Sequence, residues 1–240
     1  MYLFLLLSYS IFSFPEMDTI IKVQDFKMGL NDTLNVSVES GDIYLMGWRE
    51  KRLKVKSKVI FSKKPRKPDI EIRRLRHKMI IKGKVKKPNK YSRTDLEIYF
   101  PAQSEVSVIT DNGDIKIVGI KNKLIARSIN GDITCKEVDG KITLTADNGD
   151  IDLKKSRGIL LCKCTNGDIS GEIGEDIPDS VYLAAENGSV SLKIKLREPS
   201  IKAEVNNGEI FSDFPYNIQS PSKRPKIIIS AFNGDIYIKK

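Results

Sequence analysis

Through residues 110–240, apolar and polar residues alternate in short runs, and the breaks between runs recur at a regular interval. Each break carries Asn-Gly-Asp or a close variant: Asn112-Gly113, Asn130-Gly131, Asn148-Gly149 and Asn166-Gly167 at a spacing of 18, then Asn187-Gly188, Asn207-Gly208 and Asn233-Gly234 at 21, 20 and 26. Counted from the Asn, the fourth position is Ile115, Ile133, Ile151, Ile169, Val190, Ile210 and Ile236, and the sixth is Ile117, Cys135, Leu153, Gly171, Leu192, Ser212 and Ile238. A period of two marks a strand with one face turned inward. A second turn falls near Gly119, Gly140 and Gly158, followed by a second alternating run with Leu124, Ala126 and Ser128, then Ile142, Leu144 and Ala146, then Leu160, Cys162 and Cys164 as its inward columns. Each unit is therefore strand, turn, strand and Asn-Gly turn.

Two architectures use such a unit. Asn-Gly is a strong two-residue hairpin signal, so an antiparallel meander is one. A β-solenoid with one coil per unit, stacked at about 4.8 Å, is the other. Stacking places every position on its own copy, which explains why one residue type keeps one position; a meander supplies no such reason. The expectation is an all-β solenoid of about 18–20 residues per coil, each coil lying on the one before it in sequence.

Before the array the pattern changes to longer strands. Leu53, Val55, Val59 and Phe61 alternate with Arg52, Lys54, Lys56 and Lys58, and further strands are expected at Ile70–Arg74, Met79–Val85 and Leu96–Phe100, with loops at residues 63–68 and 87–90. Charge sharpens the division. The chain carries +10 overall, yet residues 49–93 hold 20 basic and 3 acidic side chains, +17, which leaves −7 elsewhere. This basic β segment is expected to begin and cover one end of the solenoid, because an open coil exposes strand edges. Its cations have two readings. Arg52, Lys54, Lys56, Lys58, Lys63, Lys64, Arg66 and Lys67 could meet an anionic polymer or membrane surface, or they form a solvated face that discourages edge-to-edge aggregation. Few aromatic platforms accompany them, Tyr91 and Phe61 being the nearest, which counts against single-stranded nucleic acid.

The turn residues have a structural reading of their own. Asn tolerates positive φ and can stack its amide coil on coil, and Gly closes the turn without a Cβ penalty. The acidic column Asp114, Asp132, Asp150, Asp168, Glu209 and Asp235 brings like charges close together. These carboxylates either accept hydrogen bonds from their own turn amides or share Ca²⁺ in a ladder through Asp114, Asp132, Asp150 and Asp168. No cofactor is indicated.

Catalytic chemistry has little material. His77 is the only histidine, in an expected tight turn over Arg73–Lys78, and three cysteines make no disulfide framework. Cys162 and Cys164 should share one face, with Cys135 in an inward column, as buried small hydrophobes. Carbohydrate-active β-helical enzymes work through carboxylates and basic residues on an outer solenoid face, but no such cluster stands out here.

The N-terminus adds an apolar run, Met1–Phe14, too short for the roughly 20 residues of a spanning helix. It reads as the hydrophobic region of a secretory signal, with Ser8, Ser10 and Ser13 as candidate cleavage-site residues. The competing reading starts translation at Met17 and leaves the protein in the cytoplasm.

Taken together, Ser40-Gly-Asp-Ile-Tyr-Leu-Met-Gly-Trp48, Leu96-Glu-Ile-Tyr-Phe-Pro101, Asp111-Asn-Gly-Asp-Ile115, the serial Asn-Gly-Asp-Ile units and Asn207-Gly-Glu-Ile-Phe-Ser-Asp-Phe214 resemble the bacterial and archaeal "putative adhesin" family with β-strand repeats, over about Thr19–Lys240. It is a domain family of unknown function. The resemblance implies a β-helix-like solenoid, frequently exported or membrane-tethered, with no established catalytic residues. The expected role is a noncatalytic interaction scaffold at the cell surface or in the periplasm, meeting an envelope polymer or a protein surface; an anionic-polymer module through residues 52–93 and a β-helical carbohydrate-active enzyme are the alternatives.

Overall fold

The computed structural model describes residues 18–61, 69–84, 92–173, 180–195, 199–216 and 226–240. The apolar run Met1–Phe14, Met17, both basic loops and, with them, Lys63, Lys64, Arg66, Lys67 and Tyr91 lie outside these residues. Seven strands precede the regular array: β1 (Asp18–Lys27), β2 (Thr33–Ser40), β3 (Ile43–Trp48), β4 (Arg52–Phe61), β5 (Asp69–Leu75), β6 (Lys78–Lys84) and β7 (Ser92–Pro101). The array then pairs a longer strand with a shorter one in each coil: β8 (Glu105–Asn112) with β9 (Ile115–Val118), β10 (Leu124–Asn130) with β11 (Ile133–Lys136), β12 (Asp139–Asn148) with β13 (Ile151–Lys154), and β14 (Arg157–Asn166) with β15 (Ile169–Ile173). It continues with β16 (Ser180–Asn187) and β17 (Val190–Ile194), β18 (Ser200–Asn207) and β19 (Ile210–Ser212), and β20 (Lys226–Asn233) and β21 (Ile236–Lys239).

The strands form two sheets that face each other. Sheet A runs β1-β4-β7-β3-β9-β11-β13-β15-β17-β21-β19, and sheet B runs β18-β20-β16-β14-β12-β10-β8-β2-β6-β5. Within the array every pairing is parallel and in register by repeat. Asn130 lies opposite Asn112 and Asn148, and Ile133 opposite Ile115 and Ile151. The architecture is therefore the solenoid and not the meander. Its interior is filled by the inward columns of both sheets, from Leu34 and Val36 near one end through Leu144 and Leu153 to Ile229 and Ile238, all at most 2% exposed. In sheet B the inward column nearest the Asn-Gly turn runs from Val38 to Val205 and is small between them: Thr110, Ser128, Ala146, Cys164, Ala185 and Ala231. Small side chains suit this column because it abuts turn carbonyls. Ser128 Oγ donates to Gly113 O at 3.2 Å and Cys164 Sγ to Gly149 O at 3.0 Å.

The coils do not follow sequence order at either end, which corrects the expectation of serial stacking. The last coil, β20–β21, inserts between β16–β17 and β18–β19, so Asn233 lies between Asn187 and Asn207. The physical reason is side-chain character. β20 carries Ile227-Ile-Ile229, the continuous apolar run suited to a strand with neighbours on both sides. β18 alternates exposed Lys202 and Glu204 with buried Ile201 and Ala203, which suits an edge. At the other end, β2–β3 stacks directly on β8–β9, with β6 and β7 outside it. β4 and β1 then extend sheet A antiparallel, and β5 extends sheet B antiparallel. Strands of the basic segment thus lie at this end, with β1 outside them in sheet A, and Asp32 fastens the β1–β2 loop to the β5–β6 turn. Its buried carboxylate accepts the Gly29 amide at 2.8 Å and lies 3.1 Å from His77 Nδ1. Burial opposes its ionisation, but the Gly29 amide, His77 and Arg74 outweigh that and hold its carboxyl below the ordinary value.

Turn glycines are where the stack is tightest. At Gly149 φ is +148°, and a Cβ would lie 2.4 Å from Gly131 O in the neighbouring coil. Gly149→Ala is expected to destabilise the fold by roughly 3 kcal/mol. Gly171→Ala, whose φ lies outside the positive range and whose Cβ comes close only to the movable end of Leu192, with Leu153 at ordinary contact distance, should cost under about 1 kcal/mol. Chemical denaturation of the two variants checks the difference, and equal losses would refute it.

Candidate functional site

The Asn-Gly-Asp edge has a defined hydrogen-bond polarity. Gly113 N donates to Asn130 O and Ile115 N to Asp132 O, both at 2.8 Å, so these two amides point to the following coil. The amide between them, on Asp114, points to the preceding coil and finds Asp42 Oδ1 at 3.1 Å. The same bond repeats from Asp132 N to Asp114, Asp150 N to Asp132, Asp168 N to Asp150 and Ser189 N to Asp168, at 2.8–2.9 Å. The acidic column therefore serves the amides of the neighbouring coil, in place of the own-turn amides that the sequence suggested. Beside it the Asn side chains form a chain of amides. Asn130, Asn148, Asn166, Asn187, Asn233 and Asn207 each donate Nδ2 to the Asn Oδ1 of the coil before, at 2.8–3.0 Å.

Magnitudes show why the carboxylates tolerate one another. Two charges about 4.8 Å apart in water repel by roughly 0.9 kcal/mol, while a hydrogen bond to a charged group contributes about 1.5–3 kcal/mol. The column also has relief at defined points. Arg93 bridges Asp42 and Asp95 at one end, and Ser189 substitutes a hydroxyl for a carboxylate towards the other, accepting from Asp235 N at 3.1 Å. Among the described residues no group of three or more His, Cys, Asp or Glu is placed to hold a metal ion.

The basic strand β4 lies on sheet A with Leu53, Val55, Val59 and Phe61 inward and Arg52, Lys54, Lys56 and Lys58 outward. Acidic neighbours flank it. Arg52 pairs with Glu50 and Asp25, and Lys56 with Glu97 at 3.0 Å. The Tyr99 hydroxyl and Lys56 hold the Glu97 carboxyl below its ordinary value, and Glu97 in turn raises the Tyr99 phenol. Among the described residues, Lys54 and Lys58 have no carboxylate at ion-pair distance. Between β4, β7, β3 and β9 lies an open groove of about 500 Å³, with Tyr44 in its floor and Lys56, Lys58, Lys116, Asp95 and Glu97 around it. Lys116 lies 5.8 Å from the Tyr44 ring centre, and Arg52 lies 5.0 Å from that of Trp48, which tilts against Tyr99. The groove is amphoteric, a mixture that composition alone could not reveal, because Asp95 and Glu97 are far from β4 in sequence.

The thiols are interior groups. Burial raises Cys135 well above its ordinary pKa and Cys162 to about 12. Cys164 is pushed up to about 11 by burial and then by carboxylates of the adjoining turns. His77 lies in the exposed β5–β6 turn, where its hydrogen-bonding side-chain partner among the described residues is Asp32. The structure thus places the histidine and the thiols on different parts of the molecule.

A two-sheet parallel solenoid with a turn ladder along one edge defines the class of protein. The chain belongs to the Toastrack DUF4097 family, whose pattern matches residues 30–157. Solved structures share the fold. A "putative adhesin" from Parabacteroides merdae aligns with a TM-score of 0.52 at 10% identity, over 90% of this chain and 95% of that one. A "putative adhesin" from Bacteroides fragilis aligns at 0.50 and 13% identity, over 91% and 97%. No curated protein matches the chain.

With the column's carboxylates engaged by amides, about 1 mM Ca²⁺, a level that loads extracellular calcium modules, is expected to leave the unfolding temperature unchanged. Asp150→Ala should lower stability by about 1 kcal/mol by removing the acceptor of Asp168 N. Calorimetry with and without Ca²⁺ checks both statements, and stabilisation by calcium that vanishes in Asp150→Ala would contradict them.

Proposed function

We propose that the protein is a noncatalytic, exported interaction scaffold of the adhesin type, which presents ligand-binding residues on the outer faces of a stiff solenoid. The observation that carries this reading is the division of labour along each strand. Inward positions fill the core, turn positions are engaged by neighbouring coils, and outward positions hold rings and charges in open grooves such as that around Tyr44. Family membership and the fold of the adhesin-named structures support the same reading. The apolar run Met1–Phe14 supports export, and no helix among the described residues is long and apolar enough to cross a membrane. Fractionation of the native host, with mass spectrometry of the N-terminus, tests it. A mature chain lacking the leader, found in the envelope or outside the cell, is expected; a chain starting at Met17 or Asp18 in the cytosol would refute export.

A second reading, binding of an anionic polymer, is favoured by the outward Lys54 and Lys58, which lack carboxylate partners among the described residues, with Lys116 lining the same groove as Lys58. Under this reading the protein stays on a heparin column above about 0.15 M salt, and Lys54→Glu with Lys58→Glu shifts elution to lower salt. Elution below that concentration excludes it.

A further inference from the structure

Most outward aromatic rings on the described strands have their faces occupied. Tyr44 and Trp48 carry Lys116 and Arg52, Tyr99 packs on Trp48, and Phe211 stacks on Tyr237 with ring centres 5.2 Å apart. Tyr182 and Phe232 are different: among the described residues no ring or cation lies against either of them, Tyr182 being partly buried and Phe232 53% exposed. Both stand on the outer face of sheet B, on the neighbouring strands β16 and β20. Between them the surface is low, because Ala184 and Ser230 lie directly opposite each other in register. Longer side chains close the row, with Lys163 opposite Ala184 on one side and Glu204 opposite Ser230 on the other. Tyr182 rises two residues before Ala184, and Phe232 two residues after Ser230. The result is a trough of about 640 Å³, within the roughly 300–1,000 Å³ of small-molecule sites. The two rings are separated by about 13 Å along the strand direction, four residues of strand rise.

We propose that this trough on sheet B, between the rings of Tyr182 and Phe232, is a binding site for the hexose rings of a glycan chain. The chemistry matches each part of the trough. A pyranose presents an apolar C–H face that packs on an aromatic ring, and an edge of hydroxyls that pairs with carboxylate, amide and ammonium groups, here Glu186, Asn206 and Lys163 on the rim. Ala184 and Ser230 let a ring sit down between the walls, as a larger side chain at either position would not. Lipid and polyanion fit poorly, because Glu186 and Glu204 border an apolar area that is small and broken by polar groups. The inference deepens the scaffold reading, since it names the ligand class that one face takes.

An array of immobilised oligosaccharides probed with the full chain, followed by titration calorimetry with the best-retained oligosaccharide, tests it. The expected result is binding with Kd at or below about 1 mM, weakened about tenfold or more by Tyr182→Ala and by Phe232→Ala, and unchanged by Phe211→Ala on the opposite sheet. Neither Tyr182 nor Phe232 belongs to the buried core, so unchanged unfolding temperatures will show that the variants are folded. Ser230→Trp, which fills the floor, should abolish binding. Retention of no oligosaccharide, or binding indifferent to these substitutions, overturns the site. A chain found at the cell surface without glycan binding would remove this site and leave the scaffold; a cytosolic chain that binds glycans through Tyr182 and Phe232 would do the reverse.

Discussion

The contact on which the rest of the structure depends is the approach of each Asn-Gly-Asp glycine to the backbone carbonyl of the neighbouring coil. Across the turn column a Cβ would come within 2.0–2.4 Å of that oxygen, at φ between +136° and +159°. Glycine therefore sets how closely coils stack at this edge. The stacking distance in turn aligns the Asp carboxylate with an amide that the parallel ladder leaves pointing backwards, and it brings consecutive Asn amides within hydrogen-bonding distance. The small inward column of sheet B follows from the same closeness, since Ser128 and Cys164 must reach turn carbonyls without forcing the sheets apart. A larger residue at the glycine would disturb the backbone bonds, both side-chain ladders and the adjacent core together.

A stack built this way is regular in its middle and exposed at its ends, and both ends are formed out of sequence order. Near the C-terminus the most apolar strand takes the inner place and the charged one the edge. At the opposite end, antiparallel strands replace coils, and the cations of β4 meet acids on both flanks. The net charge of residues 49–93 therefore overstates the positive field of this end. Part of it is spent on Glu97, Asp25 and the Arg93 bridge to Asp42 and Asp95. This is one physical reason to prefer a scaffold with local grooves over a uniformly basic polymer-binding surface.

The same architecture separates stability from recognition. In a strand of period two, alternate residues belong to the core and the rest to solvent, so outer faces can carry rings and charges without disturbing packing. Residue type alone does not show which of those outer rings is available. Arg52 and Lys116 cover Trp48 and Tyr44, and Tyr237 covers Phe211, whereas among the described residues no ring or cation covers Tyr182 or Phe232, on either side of two small residues.

The sequence by itself determined the repeat, the inward columns, the Asn-Gly turns and hence the solenoid, because each follows from short-range alternation and from stacking like on like. It also located strands β4 to β7 and the interior place of the three cysteines. Tertiary structure alone decided the order of the end coils, the partner of each Asp and the pairing of Arg52 and Lys56 on β4 with acids. These depend on contacts between residues such as Asp42 and Asp114, or Lys56 and Glu97, that no local period connects. The trough on sheet B belongs to that second group. Tyr182 and Phe232 are 50 residues apart and share a surface only because β20 passes over β18 to pair with β16. That choice is made by the burial of Ile227 and Ile229 between two neighbouring strands, and not by anything in the repeat.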